Sequence, residues 1–182
     1  PYTAGGIHLP DIYVIRPVFS DHELEGFACV LAHHTDVGGI VPGSNSTNAT
    51  EIFQEGIRIP ALKLYERGVP NDTILEMIAT NVRLPRNVLG DIRAEVAATI
   101  IGERGYLRLV NHYGSAEMRR HTDALIDYSE RLAREEIQAM PDGVYEFTSY
   151  IDGDNIDTGP VRIHVKLTVD GDEIEADYHG SS

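Results

Sequence analysis

Cysteine is almost absent. Cys29 is the one thiol in 182 residues, so no disulfide forms within the chain and the fold must rest on packing. Basic residues are also scarce, 15 Lys plus Arg against 29 Asp plus Glu, a net charge of −14. Such a chain lacks the basic patch that nucleic-acid phosphates demand, and its charge opposes binding to an anionic membrane surface. A cationic partner, or a metal that offsets local carboxylates, suits it better. No apolar run approaches the roughly 20 residues of a membrane-spanning helix, and no segment has the pattern of a secretory signal. The expected location is cytoplasmic. A Walker A sequence is missing too: the glycine-rich loops lack the required Lys, so ATP is not expected to bind this chain alone.

Hydrophobic residues nevertheless make up 42 %, enough for a folded core. The chain starts at Pro1, in a Gly/Pro-rich segment, and ends at Gly180-Ser181-Ser182 directly after a strand-like run. Both ends read as cuts, and the expectation is a single domain or fragment of a longer subunit.

Hydrophobic periodicity divides the chain into a strand and loop region at 1–70, a helical region at 71–141 and a β region at 142–182. Ile12 to Phe19 and Leu24 to His34 read as strands joined by the turn Ser20-Asp21-His22-Glu23. Residues 38–50 are rich in Gly, Ser, Asn and Thr and read as an ordered loop or lid. The segment 52–64 is amphipathic, but Gly56 and Pro60 break any long helix. Asp72 is the expected N-cap of a helix to about Thr80. A second helix is expected from about Val88 to Tyr113, stopped by Gly114, with Gly102 and Gly105 as weak points costing about 1 kcal/mol each relative to Ala. A third runs from Ser115 to about Met140, with Met118, Leu125 and Leu132 on one apolar seam. Residues 144–151, 161–169 and 173–178 alternate with period two, and Asp170-Gly171 marks a tight hairpin turn. Strands, then helices, then strands predict an α+β fold: an N-terminal antiparallel hairpin, central helices with one long helical pair, and C-terminal antiparallel strands.

The chemistry concentrates at two fragments. One is His8-Leu9-Pro10-Asp11; the other is His33-His34-Thr35-Asp36-Val37-Gly38-Gly39. Imidazole and carboxylate together hold borderline divalent metals. The first two strands share so short a turn that they must pair antiparallel. With Ser20 opposite Glu23, Pro10 falls opposite His33 and Asp11 opposite Ala32. His8, Asp11, His33 and Asp36 then converge at one mouth of the hairpin. Period-two alternation sends His33 to one face, with Phe27, Cys29 and Leu31, and His34 to the other. His33 and Asp36 are the favoured ligands, completed by His8 or Asp11. His34 then lies behind the ligands or faces substrate.

Other candidates carry less. Glu51, Glu55 and Arg58 have helix-like spacing and either meet a substrate carboxylate or support the metal, or form a solvated face with local ion pairs. Arg83 binds an anion or, the favoured reading, makes a buried structural pair. Cys29 has apolar neighbours, so it reads as a core residue, not a nucleophile. His112 and His121 read as ordinary helix residues. The acidic stretch 152–157 departs from the EF-hand pattern, with Ile156 at a ligand position and the required Gly absent, and reads as a turn.

These motifs carry a resemblance. Pro1-Tyr2-Thr3-Ala4-Gly5-Gly6-Ile7-His8-Leu9-Pro10-Asp11 resembles a segment of hydantoinase B/oxoprolinase proteins. The run His33 to Gly39, then Pro42-Gly43-Ser44, Glu51-Ile52 and Glu55 to Pro60, is similar to the same family in the same order. Asn81-Val82-Arg83, Gly90 to Ala94, Tyr113-Gly114 and Asp177 to Ser182 continue it over essentially the whole chain. The resemblance implies a B-type subunit, or the C-terminal half, of an ATP-dependent enzyme that opens hydantoin or 5-oxoproline rings. Carboxylation of ketones by a related subunit is the alternative, and a non-catalytic scaffold for the A-type subunit is another. It implies a hetero-oligomer in which the A-type partner carries the ATP site. The B part resembles a site for a divalent metal (Zn, Mn or Fe), with His33 and Asp36 on the His-x-x-Asp-x-Gly-Gly motif and His8 and Asp11 on the other.

Overall fold

The computed structural model describes residues 6–153 and 159–182. Residues 1–5 of the first motif, and 154–157 of the acidic stretch, lie outside the described residues. The architecture is α+β, in two compact units, residues 1–115 and 116–182.

The first unit opens with β1 (Asp11–Ser20) and β2 (Glu23–His33), an antiparallel pair. Asp21 and His22 form its two-residue turn with positive φ, 47° and 69°, the twist that two-residue hairpins favour. The register differs from straight pairing. Ser20 faces Glu23 and Phe19 faces Leu24, but Val18 faces Gly26. The extra residue, Glu25, is a β-bulge, and it advances β2 by one position. Asp11 therefore stands opposite His33, not opposite Ala32.

One face of the hairpin packs on the helix α2 (Pro85–Tyr113). Val18 is buried on that face, while Tyr13, Ile15, Phe27 and Leu31 are exposed on the other. Arg16 donates to Thr99 Oγ1 at 3.3 Å and pairs with Glu103 at 3.5 Å. Gly102 does not break α2, which is continuous through Tyr113. A Cβ at 102 would lie 3.3 Å from the Ala28 Cβ, so the missing side chain permits close approach of helix to strand. Gly114 caps the helix, its amide donating to Val110 O at 2.7 Å.

A short helix, α1 (Asp72–Asn81), precedes α2. Its N-cap is Asn71, not Asp72: the Asn71 side chain accepts from the Ile74 amide at 3.3 Å. Ile78 and Val82 pack against Val88 and Ile92, with Ile57, Leu64 and Ile74 around them. The ambiguous stretch after the loop is no regular helix. It holds one 3-10 turn, Ile52–Gln54, and is followed by a two-residue pairing of β3 (Tyr65–Glu66) with β4 (Val69–Pro70).

In the second unit, α3 (Ser115–Gln138) precedes a meander of β5 (Gly143–Ile151), β6 (Val161–Asp170) and β7 (Glu173–Asp177). The expected seam of α3 is not buried: Leu125 is 63 % exposed and Leu132 42 %. Arg134, paired within α3 to Glu130 at 2.9 Å, ties the helix to the last hairpin through Asp172 at 3.4 Å. Gly171 turns that hairpin with φ 61°. The closing residues return to β6, where the Ser181 hydroxyl takes the His164 amide at 3.0 Å. Among the described residues no helix is long and apolar enough to cross a membrane.

Candidate metal centre

Three of the four expected ligands meet. The bulge sets Asp11 and His33 side by side on the hairpin's open face. Beyond the last strand pair, the His34 amide donates to Pro10 O at 2.9 Å, which fixes the mouth of the hairpin. His8 folds back over it, three residues before Asp11. His8 Nε2 lies 2.9 Å from Asp11 Oδ1, and His33 Nδ1 lies 3.0 Å from the same oxygen. The two ring nitrogens are 2.9 Å apart, with the rings edge to face at 85°. Among the described residues, these three form the one cluster of His, Cys, Asp and Glu able to hold a metal ion.

The donor set fits a divalent cation. Two imidazole nitrogens and one carboxylate oxygen converge with spacings of 2.9–3.0 Å, as neighbouring donors do around an ion with bonds of about 2.0–2.2 Å. Without a cation the triangle is frustrated. If both rings donate to Asp11, their N–H groups face each other at hydrogen-bond distance. The hydrogen bond from His8, and then that from His33, hold the Asp11 carboxyl below its ordinary value against the opposing effect of burial. Asp11 is thus an anion at neutral pH, as a ligand must be. The side chains of His8, Asp11 and His33 remain 31 %, 25 % and 48 % exposed, so the site opens outward.

Asp36 is not with them. It is buried, and its oxygens are engaged on all sides. The Arg83 amide donates to Oδ2 at 2.7 Å and the Arg83 guanidinium to Oδ1 at 2.8 Å. The Gly38 and Gly43 amides donate at 3.2 and 3.3 Å. Burial pushes the Asp36 carboxyl up, but these donors outweigh it and hold the group below its ordinary value. Straight extrapolation of the strands to residue 36 misplaces it, because β2 ends at His33 and the chain then bends into the loop. Arg83 makes a structural pair, as its sequence position favoured, but only the Asp36 side of it is buried; the Arg83 side chain is 40 % exposed.

His34 occupies the opposite face, as alternation requires. It is fully buried, with Nε2 3.1 Å from Glu95 Oε2. Sequence reasoning passed over Glu95. Its signal is periodic: it lies three residues after Ile92 and seven after Val88, within the buried stripe of α2. Burial pushes the Glu95 carboxyl up, while His34 and the Ala32 amide oppose that effect. Among the described residues, His34 Nδ1 and Glu95 Oε1 have no hydrogen-bond partner. Glu55 and Arg58 lie outside the metal cluster. Glu55 closes the 3-10 turn, its amide donating to Ile52 O at 3.1 Å, and the Arg58 guanidinium lies over the Phe53 ring, 5.2 Å from its centre.

An α+β chain with a His/His/Asp cluster at a hairpin mouth and a Gly-rich loop beside it now has a place among known proteins. The family model for hydantoinase B/oxoprolinase matches residues 1–182, and the chain belongs to that family. It is 35 % identical over its whole length to a protein of Pseudomonas sp. (strain NS671) provisionally named as the B-type subunit of a D-/L-hydantoinase, of which it covers 31 %. It is 32 % identical to 5-oxoprolinase 1 of Arabidopsis thaliana, over 98 % of this chain and 16 % of that protein. Its fold matches the crystal structure of the ATP-dependent caprolactamase from Pseudomonas jessenii with a TM-score of 0.86 at 31 % identity, covering 94 % of this chain and 30 % of that one. The chain thus spans about a third or less of the length of these relatives.

Proposed function

We propose that this chain is the metal-bearing part of a hydantoinase-B-type subunit, and that the complete enzyme hydrolyses a cyclic amide at the expense of ATP. His8, Asp11 and His33 would hold the ion. Their convergence within 3.0 Å is the observation that carries this reading. Two imidazoles and one carboxylate suit Zn, Mn or Fe. Such an ion, when bound, supplies Lewis acidity towards a carbonyl and lowers the pKa of water. The protein's own part is orientation. Asp11 brings a negative charge and binds both imidazoles, while the Pro10–His34 backbone bond holds the two ligand segments together. The open face leaves room for substrate. ATP belongs to an A-type partner, since the chain has no phosphate-binding loop of the Walker type and relatives are named as one subunit of a larger enzyme, B-type in a hydantoinase and β in a caprolactamase.

The test is turnover by the complete protein together with its ATP-using partner. The panel is hydantoin, 5-oxoproline, a lactam, and a ketone with bicarbonate. ATP-dependent ring opening, lost with His33→Ala, is the expected result. Turnover of the ketone alone would replace hydrolysis with carboxylation. Full ring opening by the His8→Ala, Asp11→Ala and His33→Ala proteins would reduce this region to a scaffold.

A further inference from the structure

Beside the metal cluster, the chain wraps around a single cation of its own. Arg83, in the connection between α1 and α2, reaches the loop that follows β2. Its Nη1 donates to Asp36 Oδ1 at 2.8 Å, Val41 O at 3.0 Å and Gly38 O at 3.2 Å, and its Nη2 donates to Gly39 O at 2.6 Å. Three backbone carbonyls and one buried carboxylate therefore surround one guanidinium. Carbonyls turned inward need unusual backbone, and Gly38 and Gly39 have φ of 88° and 81°. A Cβ on Gly39 would stand 2.5 Å from Gln54 O, and one on Gly38 2.7 Å from Asn81 O, so no other residue fits at either place. The loop is further pinned by Ser44, whose hydroxyl donates to Gly38 O at 2.6 Å and accepts from the Val37 amide at 2.8 Å. Ile40 N donates to Gln54 O at 2.8 Å, and Ile57 N to Val37 O at 2.8 Å, which joins the segment 52–57 to the same frame.

We propose that Asp36 and Arg83 are positioning residues: their ion pair holds the Gly38–Ser44 loop closed and thereby fixes the end of β2, where His33 presents its ring to the metal. The proposal rests on the metal reading of His8, Asp11 and His33. Only Thr35 and the buried His34 separate His33 from Asp36. A shift of the carboxylate is therefore transmitted to the His33 ring through two residues, one of them clamped between Pro10 and Glu95. Arginine is required, because only a planar fork with several donors reaches four oxygens at once; the point charge of Lys does not.

The test loads the complete protein with Co2+ and compares wild type, Asp36→Asn, Arg83→Ala and Arg83→Lys. Arg83→Lys and Asp36→Asn guard against a variant that fails to fold, as judged by circular dichroism. Two readouts are taken: the visible cobalt spectrum with its stoichiometry, and hydrogen exchange at the Ile40 and Ile57 amides, which do not bond to Asp36. Each folded variant is expected to retain one ion, with affinity weaker by about tenfold, the lower end of the roughly 10–100-fold typical of losing an outer partner of a ligand. A shifted cobalt spectrum and exchange at least about tenfold faster at Ile40 and Ile57 are also expected. Arg83→Lys is not expected to restore the wild-type spectrum. A spectrum and exchange unchanged in all three variants overturn the proposal alone. Loss of the ion in Asp36→Asn but not in the Arg83 variants overturns it differently, by making Asp36 a ligand. A wild-type protein that binds no cobalt removes the metal reading and this proposal with it.

Discussion

At the residue scale the two histidines at the end of β2 have opposite circumstances. His33 meets His8 and Asp11 in the open, whereas His34 is fully buried against Glu95. The second pair is sensitive to truncation. Glu95→Ala leaves His34 without its buried partner and is expected to cost about 1–3 kcal/mol, measured by urea unfolding. Glu95→Gln keeps a hydrogen-bonding group and should cost less. Asp36 gives a pH dependence of definite sign. Its folded pKa lies below the ordinary 3.8, so its contribution is fully present above about pH 3.8 and is lost as pH falls through the lowered value. Wild type should therefore lose stability in that acid range more steeply than Asp36→Asn. Equal slopes in acid unfolding curves would deny the carboxylate this role.

At the element scale the β-bulge decides whether a site exists. The strands, their turn and the division of His33 from His34 are legible in alternation alone. The bulge at Glu25 is not: Gly26 inside the strand hints at one, but it does not say which residue is extra or which way the register moves. Yet the bulge brings Asp11 into line with His33. The departure of Asp36 was hidden for a related reason: its partner Arg83 is 47 residues away, beyond any local rule. The small pairing of β3 with β4 was hidden because two residues per strand carry no period. Two of the three glycines inside α2, Gly102 and Gly105, separate cleanly by packing. A Cβ on Gly105 meets only the Arg108 side chain, at 3.8 Å, whereas one on Gly102 meets Ala28 at 3.3 Å. Gly105→Ala is expected to stabilise by up to about 1 kcal/mol through helix propensity. Gly102→Val should destabilise by about 1–3 kcal/mol through overpacking against the hairpin. Thermal or urea unfolding of the two proteins distinguishes them, and similar effects at both positions would contradict the close approach of α2 to β2.

At the scale of the whole molecule, the acidity and the α+β order of elements follow from composition and periodicity, and the family follows from the order of the motifs. The chain represents about a third or less of its relatives, while holding three converging side chains of a kind that could bind a metal ion, and the loop beside them. With so negative a chain, −14 overall, a bound divalent cation is favoured by the general field as well as by its ligands. The most direct measurement is a crystal structure of the protein grown with Zn2+ or Mn2+, with anomalous scattering recorded at the metal edge. One peak is expected among His8 Nε2, Asp11 Oδ1 and His33 Nδ1, absent in crystals of His33→Ala and present in those of Asp36→Asn. A peak on Asp36, or none at the triad in the wild-type protein, would contradict the metal centre.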